Sequence, residues 1–229
     1  IYTTPLLKDV ILVQYNTNEP DPDEFNNDNP ADPSARRLYY GITSSKSVID
    51  GKRFGSAASN SIDLAQIDFE YDMLESPKFD LVLDNPQVSN GTMSVTVNVT
   101  SNENLAADDY YLRVLVVEDS MEYSTGEAVH SVMRKMVPDA VGKYFQRSWQ
   151  VGDVDTMHIT WNFNTAFYNE QNMSIVAFIQ RGDQNNSVKD VFQVISSRNI
   201  SSFVVGTEPT KEVVDAATEV RNMNLYPNP

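Results

Sequence analysis

The sequence predicts an α+β, mainly β chain, in which a partial α/β module precedes an antiparallel β-sandwich with one covering helix. Two patterns predict this fold class. Up to residue 77, strand-like apolar runs alternate with helix-like segments, whereas from residue 79 onward apolar residues recur at every second position between turn signals. Several short alternating strands are typical of a sandwich. We therefore expect a domain boundary between residues 77 and 78.

The first clear element is an apolar run over residues 10–15, with the sequence Val-Ile-Leu-Val-Gln-Tyr. A continuous apolar run of this length is typical of a strand that is buried on both faces, so we expect an interior strand. Residues 16–30 are rich in Asn, Asp and Pro, which disfavour both strands and helix interiors. They predict a long loop.

A helix is predicted after this loop. Asp32 can cap its first turn, Pro33 suits the first helical position, and Gly41 can end it in a left-handed conformation. Leu38 and Tyr39 are expected to face the core.

Two further elements complete the predicted α/β module. Residues 47–51 indicate a short strand that ends in a turn, and residues 62–75 indicate a second helix that stops before Pro77. The order strand, helix, strand, helix is that of an α/β unit.

The downstream half alternates at period two. On one predicted strand the apolar positions are Met93, Val95, Val97 and Val99, and on another they are Met157, Ile159, Trp161 and Phe163. Further strands are predicted over residues 79–84, 111–118, 143–150, 173–181, 188–196 and 203–205. Seven or eight strands of this kind predict an immunoglobulin-like antiparallel β-sandwich.

One segment of the downstream half has helical spacing instead. Its apolar residues are Val129, Val132, Met133, Met136 and Val137, and Pro138 follows them. We expect a helix here that covers one end of the sandwich.

Composition narrows the possible partners. The formal net charge is -15, which disfavours nucleic acid and anionic lipid surfaces. The absence of cysteine excludes dithiol chemistry within this sequence. No apolar run reaches the ~18 residues of a transmembrane helix, so no transmembrane segment is expected. A first residue other than Met leads us to expect a processed or partial chain.

The loop before the predicted helix suggests a calcium site. Asp21, Asp23, Asp28 and Asp32 could bring several carboxylate oxygens around one ion, because calcium prefers six to eight oxygen ligands. The loop lacks the glycine and the terminal glutamate of an EF-hand. The alternative is a solvated acidic loop.

Other candidate residues have simple structural interpretations. His130 and His158 are expected on the surface, because no nucleophile or metal motif accompanies either. Glu118 and Asp119 are expected to form a solvated strand end, with side chains that point in opposite directions.

Five aromatic residues allow two interpretations. They could form a platform on which a sugar ring stacks, or they could pack in the core, and alternation along the strand favours the core for Trp161. The five are Tyr110, Tyr111, Phe145, Trp149 and Trp161.

The first module resembles the second part of a degenerate thioredoxin-like domain. The resemblance rests on residues 11–15, on Asn29-Pro30, on Ala35-Arg36 with Tyr39-Tyr40, and on the run Val-Ile-Asp-Gly at residues 48–51. It implies that a reactive dithiol would precede residue 10 and that a cis-proline would precede residue 48. Ser44-Ser45-Lys46 supplies no proline there, so the resemblance implies a scaffold without redox activity.

The downstream half resembles the β domain of outer membrane protein 28-related surface proteins. The resemblance rests on residues 112–117 followed by Glu118-Asp119, on Met133-Arg134 and on residues 175–180. In this family the two modules are joined and a sorting tail often follows.

The end of the chain resembles the opening of a C-terminal sorting domain. After a polar linker over residues 206–229, the chain reads Leu225-Tyr226-Pro227-Asn228-Pro229, as in cargo of the type IX secretion system. The resemblance implies export to the cell surface or the extracellular space and contact with the type IX machinery. In bacteria that use this route, Asp-Ser-Met at Ser120 and Asp-Thr-Met at Thr156 resemble acceptor sites for O-linked glycans.

These observations predict three parts: residues 1–77, a partial thioredoxin-like module; residues 78–205, a β-sandwich; and residues 206–229, a linker and the start of a sorting domain. The leading hypothesis is a secreted, non-catalytic interaction or adhesion scaffold of the bacterial cell surface, which needs no cofactor and binds a surface protein or glycan. One alternative is a thiol-disulfide oxidoreductase whose dithiol lies upstream of Ile1. Another is a calcium- or glycan-dependent binding module.

Overall fold

The computed structural model describes residues 10–18, 22–43, 47–51, 53–54, 75–182 and 189–199. Of these, the residues up to Ser197 belong to one compact unit. Within these ranges, no helix is both long enough and apolar enough to cross a membrane. Of the helix predicted over residues 62–75, all but the last residue lie outside the described residues, as does the strand predicted over residues 203–205, and the predicted division at residues 77–78 stays a prediction.

The fold is mainly β, which confirms the predicted fold class. The described residues form one α-helix, α1 (Ala31–Tyr40), and short 3-10 helices at Glu24–Asn26, Glu170–Asn172 and Ser197–Asn199. The strands are β1 (Val48–Ile49), β2 (Arg53–Phe54), β3 (Phe79–Ser89), β4 (Thr92–Ser101), β5 (Leu105–Glu118), β6 (Met121–Glu122), β7 (Ala128–Val129), β8 (Val132–Val137), β9 (Lys143–Trp149), β10 (Val154–Asn162), β11 (Met173–Arg181) and β12 (Val191–Ser196).

Two antiparallel sheets form the sandwich. The smaller has the order β10-β4-β3, and the larger has the order β12-β11-β5-β8, with β9 also paired to β5. The inner face of β4 carries the predicted alternating set from Met93 to Val99, and all four of these residues are buried. They share one core with Phe79, Leu112 and Ile175 from the other strands, which explains why one face of the small sheet is apolar.

Strand β5 organises the larger sheet. It pairs with β11 along one side, and on its other side with β9 near its start and with β8 near its end. Leu112 and Val114 face the sandwich core, whereas Leu115 and Val117 belong to a second apolar cluster on the opposite face. The larger sheet is therefore buried on both faces around β5.

Residues 10–17 cover part of this second face. Ile11, Val13 and Tyr15 pack against the second cluster, while Leu12 is exposed. The predicted interior strand is wrong, because the segment makes a single parallel bridge, between Gln14 and Val132. It lies along the edge of β8 with one face in contact with the sheet, so alternate residues are only partly buried.

The helix predicted over residues 129–137 is also wrong, because this segment forms β7 and β8. Both faces of β8 are covered, so Met133 and Met136 are buried together with Val132 and Val137. A strand buried on both faces loses its period-two pattern, and its apolar positions then match helical spacing. Helix α1 packs beside β8 instead.

Helix α1 confirms part of the prediction of how this helix begins and ends. Gly41 ends the helix with φ 62°, in the left-handed conformation. The helix begins at Ala31, however, so Asp32 lies in its first turn and is not the N-cap. Tyr39 is buried as expected, whereas Leu38 is exposed.

Candidate functional site

The acidic loop proposed as a calcium site is tied to other parts of the fold. The Oδ2 atom of Asp23 accepts hydrogen bonds from Asn16 Nδ2 at 2.8 Å and from the Tyr123 hydroxyl at 2.9 Å. Its Oδ1 atom accepts from the Phe25 backbone N–H at 2.9 Å, which caps the 3-10 helix. The carboxylate of Asp23 is therefore directed at protein donors.

Asp28 and Asp32 turn towards two different cations on β8. Asp28 Oδ2 lies 2.9 Å from Arg134 Nη2, and Asp32 Oδ2 accepts from Lys135 Nζ at 2.9 Å and from the Met136 N–H at 2.9 Å. In the described part of the chain, no three acidic or histidine side chains gather as a metal site. Asp21 lies outside the described residues, and the calcium site stays a prediction.

Glu118 and Arg134 form a buried pair at the end of β5. Each residue is only 4% exposed, and Arg134 Nε lies 3.1 Å from Glu118 Oε2. The two atoms are not aligned as a hydrogen bond, so their attraction is coulombic. The Asn169 N–H donates to Glu118 Oε1 at 2.9 Å. The expectation of a solvated strand end is therefore wrong for Glu118.

Burial changes the titration of Glu118. Removal from water raises the pKa of its carboxyl group, and the charge of Asp28 acts in the same direction. The Asn169 hydrogen bond and the charge of Arg134 oppose this rise without cancelling it. Arg134 thus joins two carboxylates, from β5 and from the acidic loop, across two layers of the fold.

A second buried cationic group lies where α1 meets the larger sheet. We call it the arginine–tyrosine cluster, and it consists of Arg36, Arg113, Tyr15, Tyr39 and Tyr40. The Arg36 guanidinium carbon lies 4.7 Å from the ring centre of Tyr39 and 4.9 Å from that of Tyr40, and the corresponding atom of Arg113 lies 4.7 Å from the ring centre of Tyr39. Both guanidiniums therefore contact the same ring.

Arg36, Arg113 and Tyr39 of this cluster are buried. Burial lowers the pKa of Arg113, and the charge of Arg36 lowers it further. Burial also raises the pKa of Tyr39 to about 12, although both guanidiniums oppose the rise. Arg36 Nη2 donates to Gln180 Oε1 at 3.1 Å, and the Tyr39 hydroxyl donates to the Gly182 carbonyl at 2.8 Å. These contacts hold α1 against β11.

An open cleft of about 940 Å³ lies at one end of the sandwich. The turn between β3 and β4 forms one wall, and the loop over residues 163–171 forms the other, with Glu118 at the base. The polar side chains of the lining are Asn90, Asn164, Thr165, Asn169, Glu170 and Gln171. Together they offer amide, hydroxyl and carboxylate groups as hydrogen-bond donors and acceptors.

Aromatic rings flank the same cleft. The ring centres of Trp161 and Phe163 lie 5.0 Å apart, and that of Tyr168 lies 5.3 Å from Trp161. The guanidinium carbon of Arg134 lies 4.8 Å from the ring centre of Tyr168. Phe167 is different, because it lines the cleft and is 62% exposed. The loop thus carries one exposed aromatic ring, that of Phe167, next to three rings that pack on one another.

Internal hydrogen bonds hold the cleft loop. Asn164 Oδ1 accepts from the Ala166 N–H at 2.9 Å, and Asn169 Oδ1 accepts from the Gln171 N–H at 3.2 Å. The carboxylate of Glu170 accepts from the Gly91 N–H on the opposite wall. The two walls are therefore linked directly, which fixes the width of the cleft.

Of the aromatic residues predicted to pack in the core, Tyr110, Phe145, Trp149 and Trp161 do so, whereas Tyr111 stacks on the exposed ring of Tyr144. Tyr110, Tyr111, Phe145 and Trp149 are buried, and Trp161 is partly buried against the same core. An aromatic platform built from the first four is therefore inaccessible. The exposed ring of Phe167 was missed, since a lone Phe between polar residues of a loop has no periodic signal.

The remaining predicted residues that the structure describes are not part of the cleft lining. His130 and His158 are exposed, as expected, and His158 Nδ1 lies 2.9 Å from the Thr96 hydroxyl. Ser120 and Thr156 are also exposed, and the Thr156 hydroxyl donates to Asn98 Oδ1 at 2.8 Å. The sorting motif, Leu225 to Pro229, lies outside the described residues.

Sequence reasoning also missed the buried arginines. Arg113 interrupts the apolar run over residues 112–117, and Arg134 lies inside β8. A charge within a run that is buried on both faces must be paired or stacked, because an isolated buried charge is costly. The charged residue within each apolar run was therefore the available signal that Arg113 and Arg134 are buried and partnered.

The described residues define a protein of the antiparallel β-sandwich class, with an added α-helical layer and a polar cleft flanked by aromatic rings. No protein-family description matches the chain, and no curated protein sequence matches it.

Two solved structures from Porphyromonas gingivalis are similar to it. HBP35 matches with a TM-score of 0.52 at 11% identity, over 76% of this chain and 60% of HBP35. A domain of the outer membrane lipoprotein Omp28 matches with a TM-score of 0.38 at 19% identity, over 52% of this chain and 93% of that domain. The chain thus spans less than two thirds of HBP35, with which it shares a fold.

Proposed function

We propose that this protein is a non-catalytic binding scaffold of the bacterial cell surface that is exported by the type IX secretion system. The observation that carries the non-catalytic role is the pairing of charged side chains between layers of the fold. Arg134 lies against both Glu118 and Asp28, and Lys135 lies against Asp32, so that each charge meets an opposite charge from another layer of the fold. Charges held in such pairs are engaged within the fold, whereas catalytic groups have to meet a substrate.

Support for export comes from the closing sequence motif. The test uses the full-length gene product in a bacterium with a type IX system. We expect surface biotinylation to label the parent protein, and replacement of Tyr226, Pro227 and Asn228 by alanine to abolish labelling while the protein accumulates inside the cell. Equal labelling of both proteins would contradict the export proposal.

The non-catalytic proposal has its own test. The full-length product should not reduce insulin in the presence of dithiothreitol beyond the rate without protein. Reduction at a rate comparable with that of an added thioredoxin would overturn the proposal in favour of an oxidoreductase with an upstream dithiol.

A glycan is the second candidate, now as the ligand of this scaffold, and the exposed ring of Phe167 favours it. Sugar rings present an apolar face that packs on an aromatic ring, and their hydroxyls need paired donors and acceptors. The cleft offers Phe167 for the first interaction and Thr165 and Gln171 for the second. Its volume of about 940 Å³ accommodates a short oligosaccharide.

A glycan array with purified protein tests this ligand class. We expect a small set of related glycans to bind, and Phe167→Ala to remove the signal without a change in the free energy of unfolding, because the side chain is exposed. Tyr144→Ala is the matched control, since Tyr144 is also an exposed aromatic residue but lies on β9 away from the cleft lining. Equal glycan binding by Phe167→Ala and Tyr144→Ala would show that the glycan does not bind in the cleft.

A further inference from the structure

Strand β10 differs from the other edges of the sandwich. It pairs with β4 through nine consecutive residues without a register shift. By contrast, the pairings of β3, β8, β9 and β12 with their neighbours all contain a shift. Irregular pairing bends a strand and protects a sheet edge from other strands, so β10 is the most regular of these edges.

The two edges of the small sheet show the contrast directly. On β3, the pairing with β4 shifts between Asp84 and Gln87, where Asn85 has φ 48° and Pro86 follows. On β10 there is no proline and no lysine, and Asp155 is its one acidic residue. Prolines, bulges and inserted charges are the usual means of preventing edge-to-edge pairing, and β3 uses all three.

Neighbouring hydrogen bonds show which backbone groups of β10 face outward. The Phe163 N–H donates to Gly91 O, and Asp153 O accepts from the Ser101 N–H. The backbone N–H and C=O groups of the odd-numbered residues of β10 therefore point towards β4. The backbone groups of His158 and Thr160 therefore point away from β4, where no strand of the described residues pairs with them. Thr156 O accepts from Lys143 Nζ at 3.0 Å and keeps a second lone pair.

We propose that β10 pairs antiparallel with β10 of a second copy of this chain, about a two-fold axis at His158. The axis falls at the middle of Val154–Asn162, which gives the longest overlap of the two strands. Thr156 then lies opposite Thr160 of the partner subunit. No acidic residue meets another, and Met157 and Ile159 continue the apolar inner face across the junction.

This register makes the pairing self-complementary. From Thr156 to Trp161, both strands present polar side chains on the outer face and apolar side chains on the inner face, so a two-fold axis preserves both faces. Two three-stranded sheets become one sheet of six strands. The occupant is therefore a second copy, because its edge has the regularity and the alternation that this edge requires.

A cysteine placed at the axis tests the register. The chain has no cysteine, so His158→Cys introduces a single reporter. Because the backbone groups of His158 face the partner, the two opposed residues form a hydrogen-bonded pair with Cα atoms about 5.5 Å apart, which suits a disulfide. We expect mild oxidation to cross-link this variant. Ser94→Cys, which lies on the same outer face but on the central strand, is the control and should stay monomeric.

Sedimentation of the unmodified protein measures the association itself. We expect a monomer–dimer equilibrium, a dissociation constant that His158→Lys raises about ten-fold or more through opposed like charges, and no such rise for Ser94→Lys. Circular dichroism checks that both variants stay folded. A monomer up to the solubility limit, equal dimers in the two lysine variants, or equal cross-linking in the two cysteine variants would overturn the proposal.

Discussion

Removal of Arg134 should destabilise the fold far more than removal of a surface cation. Arg134→Met retains most of the side-chain volume but leaves the Glu118 carboxylate buried beside a neutral group. It also removes the 2.9 Å contact between Arg134 Nη2 and Asp28 Oδ2. The variant therefore removes the side-chain contacts of β8 with Glu118 on β5 and with Asp28 in the acidic loop.

The structure indicates the size of the effect. Breaking a buried ion pair on one side costs about 3–5 kcal/mol, which is a large part of the roughly 5–15 kcal/mol that stabilises a domain. The matched control is Lys78→Met, because Lys78 and Glu103 lie 3.4 Å apart with 45% and 49% of their side chains exposed. An exposed pair of this kind contributes below about 1 kcal/mol.

Urea denaturation followed by tryptophan fluorescence compares the variants, and m-values show whether the denatured state has changed. The double variant Arg134→Met with Glu118→Leu should recover much of the loss, because an apolar pair leaves no uncompensated charge. If Arg134→Met unfolds within about 1 kcal/mol of the parent, the reasoning from burial is refuted.

Three further predictions concern titration, backbone geometry and the core. The raised pKa of Glu118 means that the native state binds the Glu118 proton more tightly than the unfolded state does, so the stability that this proton contributes is lost as the pH rises from the unfolded to the folded pKa. Over that pH window, Glu118→Gln should gain stability relative to the parent. The opposite trend in urea denaturation at different pH values would contradict the assigned shift. Gly142→Ala places a Cβ atom only 2.3 Å from Leu112 O, whereas Gly152→Ala has open space at a similar positive φ, so calorimetry should show a clearly larger drop in melting temperature for Gly142→Ala, and equal drops would refute the steric argument. Phe79→Ala should cost about 3–5 kcal/mol in urea unfolding, because this fully buried ring contacts other rings of the core, and a loss below about 1 kcal/mol would contradict its central position.

The strands of the small sheet were predictable because local pattern and environment agree there. The period-two alternation in β4 and β10 reflects one apolar and one polar face. The turn at Asn90 and Gly91, where both residues have positive φ, marks the start of β4. Burial on a single face preserves the signal that sequence reasoning uses.

The segments that were predicted wrongly have the opposite property. Strand β8 is covered on both faces, so its apolar residues carry no alternation, while residues 10–15 look fully buried although one face of the segment is solvated. Tertiary contacts decide both cases, and a local window contains no information about them.

The site was predictable only in part for a related reason. The acidic residues were identified from composition, but their partners Arg134 and Lys135 lie more than 100 residues away in the chain. The cleft joins the turn at Gly91 to the loop over residues 163–171, and only the fold brings these segments together. Spacing along a sequence does not report such distances.

The end-to-end arrangement of β8 and β9 along β5 has a consequence for amide hydrogen exchange. The half of β5 from Val114 to Glu118 lies between β11 and β8, under the layer formed by residues 10–17. Its amide protons should exchange with deuterated solvent only when the whole unit opens, whereas the outward-facing amides of His158 and Thr160 in an isolated copy should exchange within local fluctuations. Protection therefore forms a gradient from the centre of the large sheet to the edge of the small one.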